Sequence, residues 1–179
     1  MNRTASILSI VTGTCALVAV AQGVPFSQHG SVAQRVSHTN IRIEYNRPVA
    51  RGRALFGALV KWDSVWHPGA DSATWISFDK DVTFEGKPLP RGEYSLWLIP
   101  RERRPWTLIV SSASRVFHSP YPGPQHDVLR VDIAPEQGAH METMAYYFPV
   151  VGRDSVVMRF HWGDTFLPVR IKVSRDPGQ

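Results

Sequence analysis

The sequence predicts an all-β fold: a single-domain antiparallel β-sandwich, jelly-roll-like, with one short helix or ordered loop. From residue 40 onward, apolar and polar residues alternate in nine short runs, most of them bounded by Gly, Pro, Asp or Asn. A period of two is typical of strands, and regularly spaced turn signals between short strands are typical of sandwiches and barrels. The only cysteine is Cys15, so we expect the domain, residues 38–175, to be held by its core without disulfides.

The first 21 residues have the composition of a secretory signal peptide. A basic head with Arg3 precedes an uncharged, mostly apolar run that ends in small residues. The run is shorter than the roughly 20 residues that a membrane-spanning helix needs. We therefore expect cleavage, no stable membrane span afterwards and a periplasmic or secreted protein, with an uncleaved N-terminal anchor as the alternative. The polar residues 22–37 are expected to form a flexible N-terminal lead.

The nine alternating runs are the predicted strands. In chain order they are 40–46, 74–78, 81–89, 92–100, 106–111, 127–133, 141–150, 154–162 and 166–174. The run 92–100 is apolar on both faces, as Leu96 and Trp97 illustrate, so we place it centrally and covered on both sides. Gly163 and Asp164 predict a tight hairpin turn between the last two runs. Pro168 predicts a sheet edge or a bulge in the final run.

One stretch departs from the strand pattern. Between residues 51 and 66, apolar side chains recur at helical spacing, which predicts a short helix or a compact ordered loop over residues 52–64. Gly57 lies inside this stretch and disfavours a long helix.

Composition and motifs exclude several function classes. The net charge is +5, but the arginines are scattered rather than arranged in a stripe with interleaved aromatic residues, so we expect no nucleic-acid partner. The sequence contains no Gly-x-Ser-x-Gly nucleophile elbow, no phosphate loop and no dinucleotide fingerprint, and we expect no cofactor. The histidines lack the convergent spacing of zinc ligands, so we expect no metal site.

The candidate binding residues lie in two segments, 45–53 and 62–74, and the second belongs to a stretch, 61–75, that holds three tryptophans around a Pro-Gly turn. Arg47 and Arg53 could present planar guanidinium groups to a carboxylate or phosphate, or could instead pair internally with Asp71 or Asp63. Trp66 could form a stacking wall for a sugar ring, although most tryptophans belong to the core.

His67 and Asp71 complete the set of candidate residues. Four positions and a Pro-Gly turn separate them, which could bring an imidazole and a carboxylate together. Such a pair could act as an acid–base couple, or it could brace the loop by a hydrogen bond.

Four motifs in the sequence match a known pattern. They comprise Tyr45, Arg47 and Pro48; Gly52, Arg53, Phe56, Gly57, Leu59 and Val60; Val65, Trp66, Gly69, Ala70, Ala73 and Thr74; and Leu89, Pro90, Gly92, Tyr94 and Leu96. In these residues the chain resembles an exported bacterial domain-of-unknown-function family, number 2911, over about residues 30 to 174. The resemblance implies an exported all-β domain and supplies no activity. Two positions depart from the family pattern: His67 stands where the family has Arg, and Asp71 stands where it has Asn.

We therefore expect an exported cell-envelope binding or structural module, with Arg47, Arg53, Trp66, His67 and Asp71 as the ligand-binding residues. The expected partner is a small carboxylate, a glycan or a protein loop. The alternative is a small acid–base hydrolase or isomerase that uses His67 with Asp71 or Asp63. A third interpretation is an assembly domain that offers a sheet edge to partners.

Overall fold

Residues 26–174, which the computed structural model describes, form two antiparallel sheets. The strands are β1 (Gln28–Val36), β2 (Thr39–Arg47), β3 (Trp75–Phe78), β4 (Val82–Phe84), β5 (Lys87–Leu89), β6 (Gly92–Ile99), β7 (Trp106–Ser111), β8 (Asp127–Ile133), β9 (Glu136–Val151) and β10 (Ser155–Val173). A six-stranded sheet has the order β1-β2-β3-β6-β7-β8, and a four-stranded sheet has the order β5-β4-β10-β9. The predicted all-β sandwich is confirmed, while the predicted signal peptide, 1–21, lies outside the described residues.

The core lies between the two sheets and follows from the alternation along each strand. Ile41 and Ile43 of β2 are fully buried, as are Leu96 of β6 and Ile171 of β10. The alternating polar residues face outward, as expected for sheets that pack face to face. Burial of a large aliphatic side chain of this kind contributes about 1.5–3 kcal/mol.

Strand β6 is central in the six-stranded sheet, as predicted. It pairs with β3 on one side and β7 on the other. Leu96 and Leu98 enter the main core, while Trp97 on the opposite face packs with Ala73 and Ile109 in a second, smaller cluster. Both faces of β6 are therefore covered, which explains its nearly continuous apolar sequence.

The expectation of a flexible lead over residues 22–37 is wrong where the structure describes it. Residues 28–36 form β1, which pairs along its whole length with β2. Most side chains of β1 are exposed or half-buried, because it is the edge strand of its sheet. An edge strand that buries little apolar surface needs no strong alternation of apolar and polar residues, so the sequence of β1 does not predict a strand.

The hairpin turn predicted at Gly163-Asp164 is also wrong. A single long strand, β10, runs through both residues, and its register with β9 shifts on either side of Gly163. Gly163 has φ +59°. This left-handed conformation, which glycine favours, occurs here at an irregularity inside a strand and not in a hairpin turn. Pro168 lies between the residues that pair with β9 and those that pair with β4, where its missing N–H disrupts no ladder.

Residues 52–64 adopt the ordered loop rather than the helix. Three backbone hydrogen bonds close the loop on itself. The N–H of Gly57 donates to the carbonyl of Val60 and the N–H of Val60 to the carbonyl of Leu55, each at 2.8 Å, and the N–H of Leu59 donates to the carbonyl of Ala54 at 3.3 Å. Leu55 and Val60 are buried beneath the loop and anchor it to the core. Gly57 has φ +87°, a value that interrupts any helix.

Candidate functional site

Two neighbouring clefts lie where the ordered loop meets strand β10. The first, which we call the arginine cleft, has a volume of about 460 Å³, within the range of about 300–1,000 Å³ that small-molecule sites occupy. Its lining includes Pro48, Val49, Arg51, Arg53, Trp66 and Trp162. The cleft therefore combines two cationic side chains with two indole rings.

A tight turn places the two arginines at the mouth of the arginine cleft. Arg51 and Gly52 have φ values of +54° and +65°, and the N–H of Arg53 donates to the carbonyl of Ala50 at 3.2 Å. Positive φ at both central positions is the signature of a type I′ turn. The turn holds Arg51 and Arg53 on the surface, and both are exposed.

Arg53 is fixed by its own loop. Its Nε donates to the carbonyl of Ala50 at 2.8 Å and its Nη2 donates to the carbonyl of Val49 at 2.7 Å. The internal anchoring expected for an arginine here therefore goes to backbone carbonyls and not to Asp63 or Asp71. Nη1 of Arg53 donates no hydrogen bond within the described residues. The guanidinium is therefore fixed in position and still has N–H groups that can donate to an anion.

The indole ring of Trp66 forms the wall of the arginine cleft. It stacks on Trp162 with ring centroids 5.9 Å apart and planes 11° from parallel. Backbone hydrogen bonds in both directions between Trp66 and Leu98, at 2.7 and 2.8 Å, fix its position. Trp66 is half-buried whereas Trp162 is only 2% exposed, so Trp66 presents the accessible ring.

The second cleft, which we call the polar cleft, adjoins the first and has a volume of about 340 Å³. Arg53 and Trp162 line both clefts. Besides the small or aliphatic residues Ala54, Leu55 and Gly163, the lining of the polar cleft has aromatic residues and hydrogen-bonding side chains: Phe56, Trp62, Gln137, His140, Asp164 and Thr165.

A histidine between two carboxylates lies at the rim of the polar cleft. His140 Nδ1 is 2.8 Å from Oδ1 of Asp164, and its Nε2 is 2.9 Å from Oε2 of Glu142. The bonds to Glu142 and then to Asp164 raise the pKa of His140 above its usual value. Glu142 also accepts the backbone N–H of Arg51, so this cluster ties β9 to the turn that carries the arginines.

His67 is a buried structural residue. It is 4% exposed, and its Nε2 accepts the backbone N–H of Thr74 at 2.5 Å. Burial, followed by the nearby His118, lowers the pKa of His67 to about 3. His67 is therefore neutral at ordinary pH and already engaged, which does not suit a general base.

The structure does not bring the proposed acid–base partners together. Asp71 is exposed, and its Oδ2 lies 3.4 Å from Nδ2 of Asn46. Asp63 pairs with Arg104 at 3.2 Å and with Arg101 at 3.6 Å. Within residues 26–174 neither carboxylate hydrogen-bonds to His67, so the loop brace is the His67–Thr74 bond and not a His67–Asp71 bond.

Of the five predicted binding residues, the arginine cleft brings together Arg53 and Trp66. Arg47 is elsewhere: its Nε donates to the carbonyl of Met144 at 2.9 Å and ties β2 to β9. Sequence reasoning missed the cleft roles of Trp162 and of the His140 cluster. Trp162 has the signature of a core residue, and His140 is one of several isolated histidines, so only their placement in the fold reveals them.

No metal centre or membrane helix is found in the part of the chain that the structure describes. No group of three or more His, Cys, Asp and Glu side chains among those residues is placed to hold a metal ion. No helix within the same residues is long and apolar enough to cross a membrane.

Comparison with known proteins identifies a family but no activity. The model of a family described as "Protein of unknown function (DUF2911)" matches residues 27–171, which is most of the chain. The chain therefore belongs to this family. Searches of curated proteins and of solved structures returned no match.

Proposed function

We propose that this DUF2911 chain is a binding module of the cell envelope and that its arginine cleft binds a small hydroxylated carboxylate, such as an acidic sugar. The observation that carries the proposal is the placement of Arg51 and Arg53 beside the half-buried ring of Trp66 in one cleft. Cationic forks recognise a carboxylate, and an aromatic face covers the apolar face of a sugar ring.

The arginine pair favours an anion over a neutral ligand. Both guanidinium groups are on the same short turn, and Arg53 is already held by two carbonyls at 2.7 and 2.8 Å. A fixed donor loses little conformational entropy when a ligand arrives, which strengthens binding. Arg51 is held less firmly and lies over the ring of Phe26, 3.0 Å from its centroid.

The surrounding backbone favours a small ligand over an added peptide strand. Recognition of a strand requires a row of unpaired backbone N–H and carbonyl groups at a sheet edge. Here the walls are formed by a loop whose backbone bonds close on themselves and by β10, which pairs with β9 beside the cleft. The clefts therefore offer side chains rather than a sheet edge.

Binding of galacturonic acid, followed by tryptophan fluorescence and calorimetry, tests the proposal, with galactose as the neutral comparison. We expect saturable binding of the acid, weaker binding of the neutral sugar, and a loss of affinity of about tenfold in Arg51→Asn, the effect of removing one charge-assisted hydrogen bond. Asn tolerates positive φ better than Arg does, so this variant should keep or raise the melting temperature.

The matched control is Arg91→Ala, which removes an exposed arginine outside both clefts. It should leave binding unchanged. Equal binding of acid and neutral sugar, or equal loss in both variants, would overturn the proposal of a carboxylate site.

The envelope location is part of the proposal and is supported by the composition of residues 1–21. Expression of the full chain, followed by fractionation and mass measurement of the product, tests it. Recovery outside the cytoplasm with an N-terminus near residue 22 is expected, and a cytoplasmic product that keeps Met1 would contradict it.

A further inference from the structure

We infer that the polar cleft is a second subsite of the same ligand, which is therefore a chain of at least two sugar units with its carboxylate on one unit and an uncharged unit beside it. The inference rests on the proposed function of the arginine cleft. Beyond that function, the inference specifies the length of the ligand and which of its units carries the carboxylate.

The two clefts adjoin each other at shared residues. Arg53 and Trp162 line both, so a ligand in one cleft touches groups that also face the other. Each cleft alone has the volume of a small-molecule site. Trp162 connects their aromatic linings: its ring centroid lies 5.9 Å from that of Trp66 in the arginine cleft and 6.4 Å from that of Phe56 in the polar cleft. A single sugar unit would leave one of the two clefts empty.

The clefts differ in charge, which sets the order of the units. The described lining of the arginine cleft has Arg51 and Arg53 and no carboxylate, whereas the polar cleft shares Arg53 but adds Asp164, with Glu142 on the other side of His140. A second carboxylate in the polar cleft would meet Asp164 at close range, where like charges repel by about 1 kcal/mol or more. Gln137 and Thr165 instead offer partners to hydroxyl groups.

Trp162, which lines both clefts, carries an unsatisfied polar atom. The indole Nε1 of Trp162 is buried and has no hydrogen-bond partner among the described residues. A buried indole N–H normally finds an acceptor. A ring or linking oxygen of a ligand that spans both clefts would supply this acceptor once the side chains that cover the indole N–H move aside.

Calorimetry of the purified protein at pH 8 with three ligands tests the inference. The ligands are galacturonic acid, its homodimer with two carboxylates, and a disaccharide of one uronic acid and one neutral hexose. We expect the mixed disaccharide to bind about tenfold more tightly than the monomer and more tightly than the homodimer. Asp164→Asn should bring the homodimer close to the mixed disaccharide, and Gln137→Ala should weaken only the two disaccharides.

Two matched controls separate local from general effects. Glu136→Gln removes the same charge from an exposed residue outside the cleft lining, and Gln125→Ala truncates an exposed glutamine elsewhere. Both should bind as wild type. If the monomer binds and both disaccharides bind no better, the second subsite is refuted while the proposed function stands. If none of the acids binds, the proposed function itself fails.

Discussion

The hydroxyl of Tyr45 on β2 accepts the backbone N–H of Tyr146 on β9 at 3.0 Å and thereby joins the two sheets through the core. The rings meet edge to face with centroids 4.8 Å apart. The hydroxyl of Tyr146 donates in turn to the carbonyl of Pro68 at 2.9 Å. The sandwich is thus connected to the loop that carries Trp66 and His67 by buried polar bonds as well as by apolar packing.

Tyr45→Phe should destabilise the protein more than Tyr146→Phe. Loss of the Tyr45 hydroxyl leaves the buried N–H of Tyr146 without an acceptor, a change that costs about 1–3 kcal/mol. The carbonyl of Pro68 keeps a second donor, the Thr74 hydroxyl at 2.9 Å, when Tyr146 loses its own. Urea titration of both variants measures their free energies of unfolding. A larger decrease in this free energy for Tyr146→Phe than for Tyr45→Phe would contradict this account.

His67→Gln should remove a component of acid sensitivity. An unfolded histidine takes up a proton near pH 6.5, whereas the pKa of His67 in the folded protein is about 3. Between these values the unfolded state binds the extra proton, so acidification lowers the free energy of unfolding by up to about 1.4 kcal/mol per pH unit. Wild type should therefore exceed His67→Gln in free energy of unfolding by less at pH 4.5 than at pH 7. The exposed His126→Gln is the control, and a constant gap for His67→Gln would contradict its burial as a neutral acceptor.

His140→Gln should have the opposite pH dependence. The pKa of His140 is raised by Glu142 and Asp164, so its contribution to stability is complete below its unfolded pKa of about 6.5 and is lost as the pH rises through the folded value. The variant should melt below wild type at pH 5.5, and the two should converge at pH 8.5. Melting curves at both pH values check this, and a difference that grows with pH would disprove it.

Gly163→Ala should cost more than Gly86→Ala. Both glycines have positive φ, +59° and +79°, so both substitutions strain the backbone by about 1 kcal/mol or more. A Cβ at Gly163 would lie 2.8 Å from Cδ1 of Leu55, whereas a Cβ at Gly86 would have nothing within 4 Å. The difference in unfolding free energy between the two variants isolates the contact with the ordered loop, and equal losses would show that the loop yields without resistance.

Much of the fold could be read from the sequence. Period-two alternation places Ile41 and Ile43 on one face of β2, and the doubly apolar run around Leu96 and Trp97 predicts a covered central strand. These predictions succeed because alternate strand residues face opposite sides and the core selects apolar ones on the side it covers. The same approach fails at β1, because an edge strand buries too little apolar surface to require alternating apolar residues.

The candidate site can be predicted from the sequence only in part. Arg53 and Trp66 are predicted from two neighbouring segments of unusual composition, and the structure places both in the lining of the arginine cleft. The spacing of His67 from Asp71 predicts a pair between them, but spacing alone cannot reveal that the ring of His67 accepts the N–H of Thr74 instead. Gly163 was misread because positive φ serves a bulge as well as a turn.

The all-β class, most strands and the resemblance to a family can be predicted from the amino-acid sequence, because these depend on local alternation and short motifs. The packing of the two sheets is needed to show that Trp162 stacks on Trp66, that Arg53 lines two clefts, and that His140 lies between Glu142 and Asp164. Those contacts join residues far apart along the chain. They depend on how two sheets pack and on where β10 changes register, which no local pattern encodes.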